Sequence, residues 1–304
     1  MNKSITLDAN GRLDVSIDTV SALIRDQFPA WSDLEIAAVQ PGGWDNRTFR
    51  LGDDMLIRLP SAERYVPAVE REHAWLPLLA SHLSIPIPTP IAKGNPSDKY
   101  PWNWSVYNWI KGQTADKLDQ RSLPEFARDV ADFLLELQSI DIAGAPVAGA
   151  PSYRGCSPKA YDVDTRTYIS NLKDLIDADD ALSVWEDAIQ TEWINDPVWV
   201  HADLSPQNIL VQNEKLHAVI DFEGVCVGDP SCDLVLAWTL LDTRSRAIFK
   251  ESLSLDSNTW SRARGWCLWK ALFSLNNSED KGNVEALKRK KIIEEILSEF
   301  NGSA

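Results

Sequence analysis

The sequence predicts an α+β chain: a small antiparallel β-sheet with one main helix, followed by a larger, mostly helical part that carries a β-hairpin. Three observations predict it. Short β-prone runs at 34–39, 46–51 and 55–59 are separated by Pro41-Gly42-Gly43 and Gly52-Asp53-Asp54, the spacing of an antiparallel meander. Beyond residue 122, apolar residues recur mostly at helical intervals. Between Val198 and Ile220 that pattern gives way to three β-prone runs around a polar loop.

Each element follows from its residues. A lead-in helix is expected around 19–28. Residues 66–83 carry an apolar stripe through Val69, Leu76, Leu79 and Leu83, interrupted by Pro77, with Glu70 and Glu72 in the first turns. The run 85–90 alternates Ile, Pro and Thr and reads as a stiff extended connector. Residues 100–110 form an aromatic-rich strand. Ser122-Leu123-Pro124-Glu125 opens a helix with Phe126, Val130, Phe133, Leu137 and Ile140 on one face. Residues 141–160, rich in Gly, Ala, Pro and Ser, form a loop, and 161–193 reads as helical and acidic. Further helices are expected over 231–241, 244–251, 259–275 and 284–300.

With 304 residues and 44% hydrophobic content, the chain supports two lobes or one large domain. A net charge of −15 excludes a nucleic-acid phosphate track and suits a cationic ligand, although solubility alone also explains it. The opening Met1–Asp8 is too polar for a secretory core, and no apolar run reaches the roughly 18 residues of a membrane helix, so a cytoplasmic location is expected. Four cysteines and four histidines show no zinc-ligand spacing, and the cysteines read as reduced, mostly buried thiols.

The densest chemistry lies in His201-Ala202-Asp203-Leu204-Ser205-Pro206-Gln207-Asn208 and Ile220-Asp221-Phe222-Glu223. One carboxylate, an amide five residues later and a second carboxylate at a strand end supply a proton acceptor and two oxygen ligands for magnesium. That set points to phosphoryl transfer, with Asp203 orienting an alcohol and Asn208 and Asp221 holding the ion. A polar turn and an unrelated strand-end Asp form the plainer alternative.

Other candidates are weaker individually. Gly42 and Gly43, followed by Asn46, permit close backbone approach to a phosphate, or serve only a turn. Arg58 alternates with Ile57 and Leu59 and offers a planar cation to nucleotide phosphates, unless it is an exposed strand arginine. Either Glu70 or Glu72 is placed to pair with it, and the helix dipole favours both without any further role. Residues Tyr107, Asn108 and Trp109 fall where a strand joins two lobes and where an adenine finds backbone partners, or they are core aromatics and neighbours.

These residues together resemble the aminoglycoside phosphotransferase family, with its bilobal protein-kinase-like fold, from about residue 34 to the C-terminal helices. The family's His, small residue, Asp, four variable residues and Asn match His201, Ala202, Asp203 and Asn208; its metal Asp matches Asp221. Gly228-Asp229-Pro230 with Asp233 is similar to the next signature, whose second Asp braces the catalytic loop. Val69-Glu70-Arg71-Glu72 resembles the helix bearing the ion-pair Glu and selects Glu72. Arg58 stands where a Lys is expected, Ala202 where Gly is usual, and Glu223 where protein kinases have Gly.

The resemblance implies an N-terminal lobe over 1–106, a hinge at 107–112 and a catalytic lobe over 113–304. It implies an ATP- or GTP-dependent, magnesium-dependent kinase acting on a hydroxyl of an aminoglycoside or other small molecule, with antibiotic resistance as one outcome. An ordinary metabolite, such as an amino alcohol or sugar derivative, is a second acceptor class, and a nucleotide-binding protein without turnover is the non-enzymatic alternative. His201 is expected to brace the loop. The acceptor site is expected among residues 161–193 and the helices after Asp233, where acidic side chains would meet amines.

Overall fold

The computed structural model describes residues 7–8, 11–40 and 42–302. The opening Met1–Thr6 and the Pro41 of the first expected turn lie outside the described residues. The chain forms two compact units, Met1–Lys111 with Ala218–Glu223, and Gly112–His217 with Gly224–Ala304.

In the first unit, helix α1 (Ile17–Gln27) begins where the Ser16 hydroxyl accepts the Thr19 amide, and it buries Val20, Leu23 and Ile24 at i, i+3 and i+4 spacing. Strands β1 (Ile36–Ala38), β2 (Asn46–Leu51) and β3 (Met55–Pro60) form the expected meander. Gly52 makes the β2–β3 turn at a left-handed φ of 58°, which an L side chain adopts only with strain. Helix α2 (Val66–His82) runs through Pro77 without ending there. The expected interruption is absent; the proline removes one backbone donor, while buried Leu76 and Leu79 anchor the helix on either side of it.

Strand β4 (Pro90–Gly94) begins on the last residue of the expected connector, and β5 (Trp104–Asn108) is shorter than the expected aromatic strand. The sheet order is β1-β2-β3-β5-β4, so β4 is an edge, where proline at its first position costs no ladder bond. The core beneath the sheet joins Leu23, Ile24, Phe49, Leu51, Ile57, Leu59 and Trp104.

Gly94 pairs in register with Trp104, and a Cβ built at residue 94 would stand 1.9 Å from the indole. Trp104 is fully buried and has nowhere to retreat. Gly94→Ala is therefore expected to lower unfolding free energy by about 1–3 kcal/mol through overpacking. Urea denaturation checks this, and an unchanged midpoint would show that the edge strand simply peels away.

In the second unit, β6 (Gln113–Thr114) precedes α3 (Leu123–Gln138), which buries Phe126, Val130, Phe133 and Leu137. The acidic stretch expected as one helical region divides into α4 (Asp162–Asn171) and α5 (Ala178–Ile189), because Asp177 accepts the Asp180 amide and starts a new helix. Strands β7 (Val198–Val200), β8 (Ile209–Gln212), β9 (Lys215–Val219) and β10 (Cys226–Gly228) surround the polar loop. The order β6-β8-β9 contains the expected hairpin, while β7 pairs antiparallel with β10. The last two residues of β9 belong to the first unit.

The helix expected over 231–241 is instead a 3-10 turn at Pro230–Asp233 followed by the short α6 (Leu236–Thr239). Asp229 accepts the Ser231 amide and commits the chain to that turn. Helices α7 (Thr243–Leu253), α8 (Ser257–Asn276) and α9 (Val284–Gly302) complete the unit, with α8 packed by α4, α5 and α9. The side chains of Asp242 and Asp256 cap α7 and α8. All four cysteines are free; Cys226, Cys232 and Cys267 are buried and Cys156 is partly so.

Candidate active site

In the first unit, Arg58 projects from β3 into three carboxylates. Its Nη1 donates to Glu72 at 2.9 Å, and its Nη2 reaches Asp221 at 2.7 Å and Glu223 at 3.3 Å. Glu70, the other carboxylate considered for this role, pairs with Lys93 at 2.9 Å. Spacing decides between them: two residues along a helix turns a side chain by roughly 200°. Glu72 is held from its other oxygen by the Tyr107 hydroxyl.

A planar guanidinium with several donors serves this arrangement better than an ammonium would, because it bridges carboxylates from different segments in one plane. Glu223, at the position where protein kinases carry glycine, is a strut. Its carboxylate accepts from Asn46 at 3.0 Å, and its carbonyl oxygen accepts from Arg71 at 2.9 Å. Burial pushes the Glu223 carboxyl up to about 8, against the pull of Arg58, with Asp45, Asp221 and Glu72 adding to the rise.

The other first-unit candidates are placed as follows. Gly42 and Gly43 precede β2 without a left-handed φ. The Asn46 amide is committed to Glu223, and the Tyr107 hydroxyl to Glu72. The Asn108 side-chain carboxamide oxygen accepts the Thr89 amide, and the Trp109 backbone amide donates to the Asp54 carbonyl at 2.7 Å, while its ring lies against Arg50.

In the second unit, β7 delivers the chain to His201, Ala202 and Asp203. Asp233, fully buried, accepts the backbone amides of His201 at 2.6 Å and Ala202 at 2.8 Å. Its own carboxyl is pushed up by burial, against His201 and those amide donors. The His201 Nδ1 accepts the Asp203 amide at 3.2 Å, which makes this ring a brace for the loop. Ala202 sits at a left-handed φ of 70°, the conformation for which glycine is usual, at a cost of about 1 kcal/mol. Asp221 is likewise left-handed, with φ 68°.

The Asn208 amide nitrogen donates to the Asp203 carbonyl at 3.0 Å, closing the loop. A 3-10 turn at Pro206–Asn208 leads directly into β8. Behind the loop, Asp229 pairs with Arg262 of α8 at 2.6 Å, both almost fully buried.

Two neighbours of Asp203 escaped sequence reasoning. Arg154 Nη1 and Lys270 Nζ each reach Asp203 Oδ1 at 2.6 Å, and Arg154 also donates to the Ala202 carbonyl at 2.8 Å. Burial pushes the Asp203 carboxyl up, but Lys270 and Arg154 outweigh it and hold the group well below the ordinary carboxylate range. Each has a faint signal: Arg154 is an isolated cation in a small-residue loop, and Lys270 interrupts the Trp-rich run of α8. Neither signal names a partner dozens of residues away.

The loop is thus held by Asp233 on its backbone amides, closed by Asn208, and runs directly into β8. The chain matches the phosphotransferase enzyme family over residues 37–266, and it belongs to that family. Its fold is that of solved aminoglycoside phosphotransferases and is protein-kinase-like. The GDP complex of wild-type aminoglycoside 2'-phosphotransferase-IIIa aligns with a TM-score of 0.69 at 18% identity, covering 92% of this chain and 98% of that one. An ADP-bound aminoglycoside phosphotransferase, APH(2'')-Ib, gives 0.58 at 20% identity, covering 93% and 97%. The macrolide 2'-phosphotransferase MphH from Brachybacterium faecium gives 0.60 at 18% identity, covering 92% and 97%. No curated protein sequence matches significantly. At these identities the structural likeness establishes the fold.

Among the described residues, no helix is long and apolar enough to cross a membrane. Nor do three His, Cys, Asp or Glu side chains gather there as a metal cluster. Magnesium commonly takes one or two protein carboxylates and completes its shell with phosphate and water.

Proposed function

We propose that this chain is a small-molecule kinase that transfers the γ-phosphoryl group of ATP or GTP to an alcohol, with Asp203 holding the acceptor hydroxyl. The supporting observation is the Asp203 loop itself, locked by Asp233 from behind and by Asn208 from the front. Phosphoryl transfer asks the protein for position and charge neutralisation more than covalent chemistry. The acceptor oxygen forms the new bond to phosphorus, the bond to the bridging oxygen of the nucleoside diphosphate breaks, and the hydroxyl proton leaves by way of Asp203 to water. With its carboxyl held ionised, Asp203 acts chiefly by orienting the alcohol and taking its proton late.

Asn208 and Asp221 fit a magnesium ion by donor chemistry. Both present hard oxygens, and the Asp221 side chain is 41% exposed with only its Oδ1 engaged by Arg58. Bound there, the ion would neutralise charge on the nucleotide phosphates. Glu72 fixes Arg58 beside Asp221, Gly42 and Gly43 offer backbone to phosphate, and the 107–112 segment serves as hinge between lobes at 1–106 and 113–304, with the backbone of Tyr107, Asn108 and Trp109 against the base. A cytoplasmic setting, where nucleotide and magnesium abound, belongs to the same reading. Its acceptors are hydroxylated small molecules, as the aminoglycoside and macrolide enzymes of like fold suggest, or metabolites such as amino alcohols and sugar derivatives.

The Arg58–Asp221 pair favours one alternative, a nucleotide-binding protein without turnover, because a guanidinium occupies an oxygen that a metal would use. A single assay separates the two. Release of nucleoside diphosphate from ATP and GTP is followed with and without magnesium, over aminoglycosides, macrolides, amino alcohols and sugar alcohols. Acceptor-dependent, magnesium-dependent release is expected; saturable nucleotide binding with no release on any acceptor would favour the alternative.

A further inference from the structure

A short segment ahead of α1 is tied to the loop between β1 and β2. Its residues 8 and 11–15 precede the region shared with the family, which starts at residue 37. Asp8 and Arg12 bind each other twice: the Asp8 amide donates to the Arg12 carbonyl at 2.7 Å, and the Asp8 carboxylate accepts the Arg12 amide at 3.0 Å. Gly11 has a left-handed φ of 71°, open to glycine without strain. Arg47 of β2 holds this turn in place, donating to Asp8 at 2.5 Å and to the Leu13 carbonyl at 2.7 Å. Leu13 and Val15 join the core beneath the sheet, so the segment is anchored at its end.

From that anchor the Arg12 side chain reaches Trp44 in two ways. Its Nη1 donates to the Trp44 carbonyl at 2.9 Å, and its guanidinium lies over the indole, 3.6 Å from the ring centroid. The Ser61 hydroxyl donates to the same carbonyl at 3.1 Å. The Ser61 backbone completes the link: its carbonyl accepts the Leu13 amide and its amide donates to the Asp45 carbonyl, each at 2.8 Å. A carbonyl with two donors on it turns only by breaking both bonds. Arg12 is 5% exposed and Trp44 64%, so a buried cation is committed to ordering a residue that faces solvent.

The run that ends at this lock has unused donors. Among the described residues, the backbone amides of Gly42, Gly43 and Trp44 donate to no acceptor, and all three residues are exposed. Successive unpaired amides in a turn are a favourable setting for an anion. Two adjacent glycines also lose much conformational freedom when such a loop is ordered, a cost that falls if one end is fixed beforehand.

We propose that Arg12 is a positioning residue for the nucleotide, fixing Trp44 so that these three amides are held ready for phosphate oxygens. This rests on the phosphotransfer reading above and adds to it the device that orders its loop. Arg12 acts through Trp44 and not by touching phosphate.

The test is calorimetric titration of the full-length protein, with magnesium, by ATP and GTP and by adenosine and guanosine. Arg12→Met keeps the length of the side chain and removes its charge and its donors. Affinity for the triphosphate should fall about tenfold while affinity for the matching nucleoside stays within about twofold, because a nucleoside has no phosphate to place in the loop. Ser61→Ala, which removes one bond to the same carbonyl from a buried site and leaves the backbone links intact, should show the same selective loss at about threefold. An equal fall for triphosphate and nucleoside, the result of a general loss of structure, overturns the proposal. Should Arg12→Met fail to fold, Ser61→Ala decides by the same criterion. Failure of the underlying reading looks different: no binding of either triphosphate by the unmodified protein removes that reading and this inference with it, whereas undiminished binding in both variants removes this inference alone.

Discussion

Replacing Asp203 with Ala is expected to lower turnover by about 10²- to 10⁴-fold while nucleotide still binds. The side chain removed is the one that Arg154 and Lys270 both address, and the loop that carries it is held by Asp233 through backbone amides rather than through Asp203 itself. The backbone should therefore keep its course in the variant. Asp203→Asn separates shape from charge: it preserves a hydroxyl acceptor of similar size, so any further loss relative to an intact loop belongs to the missing negative charge. Steady-state diphosphate release with calorimetric nucleotide titration checks both. Full turnover in Asp203→Ala would remove this residue from the chemistry.

The second large effect is expected on stability. Arg58 is the shared counterion of Glu72, Asp221 and Glu223, and the Glu72 side chain is only 4% exposed. Truncation to Ala leaves three carboxylates facing one another with Glu72 stripped of water, a situation that costs about 3–5 kcal/mol when one partner of a buried pair is removed. Arg58→Lys should recover part of this, since an ammonium restores the charge but not the planar fork. Urea denaturation of the two variants measures the order. A loss below about 1 kcal/mol in Arg58→Ala would mean that the network is no stronger than a surface ion pair.

Much of this was readable before any coordinates. Helices with a clean apolar face, such as α1 and α3, announce themselves through periodicity, which is a local property. The Asp203 loop was legible for a different reason: the chemistry fixes residue types at short spacing. Strand β10 was not, because three residues, Cys226–Gly228, carry too little alternation to register, and what makes them a strand is pairing with β7. The region after Asp229 read as a helix on apolar spacing, and a side-chain cap overrode that spacing.

The charge around Asp203 shows the limit most clearly. Composition gave a net charge of −15, and the inference from it was an acidic acceptor site. The local field next to Asp203 has the reverse sign, set by one arginine from an irregular loop and one lysine from a helix more than a hundred residues later. Net charge describes the solvated surface; the few side chains at a reacting atom are chosen independently of it.

The discontinuity of the first unit bears on how the protein is made. A ribosome that has released residues 1–111 has produced the sheet and α2 but not Ala218–Glu223, so Arg58 must wait for two of its three anionic partners while a further hundred or so residues are synthesised. At about 5–20 residues per second that interval lasts several seconds, ample for local structure to form around an incomplete centre. A fragment ending at Lys111 would consequently be a poor stand-in for a nucleotide-binding module, however complete its strands.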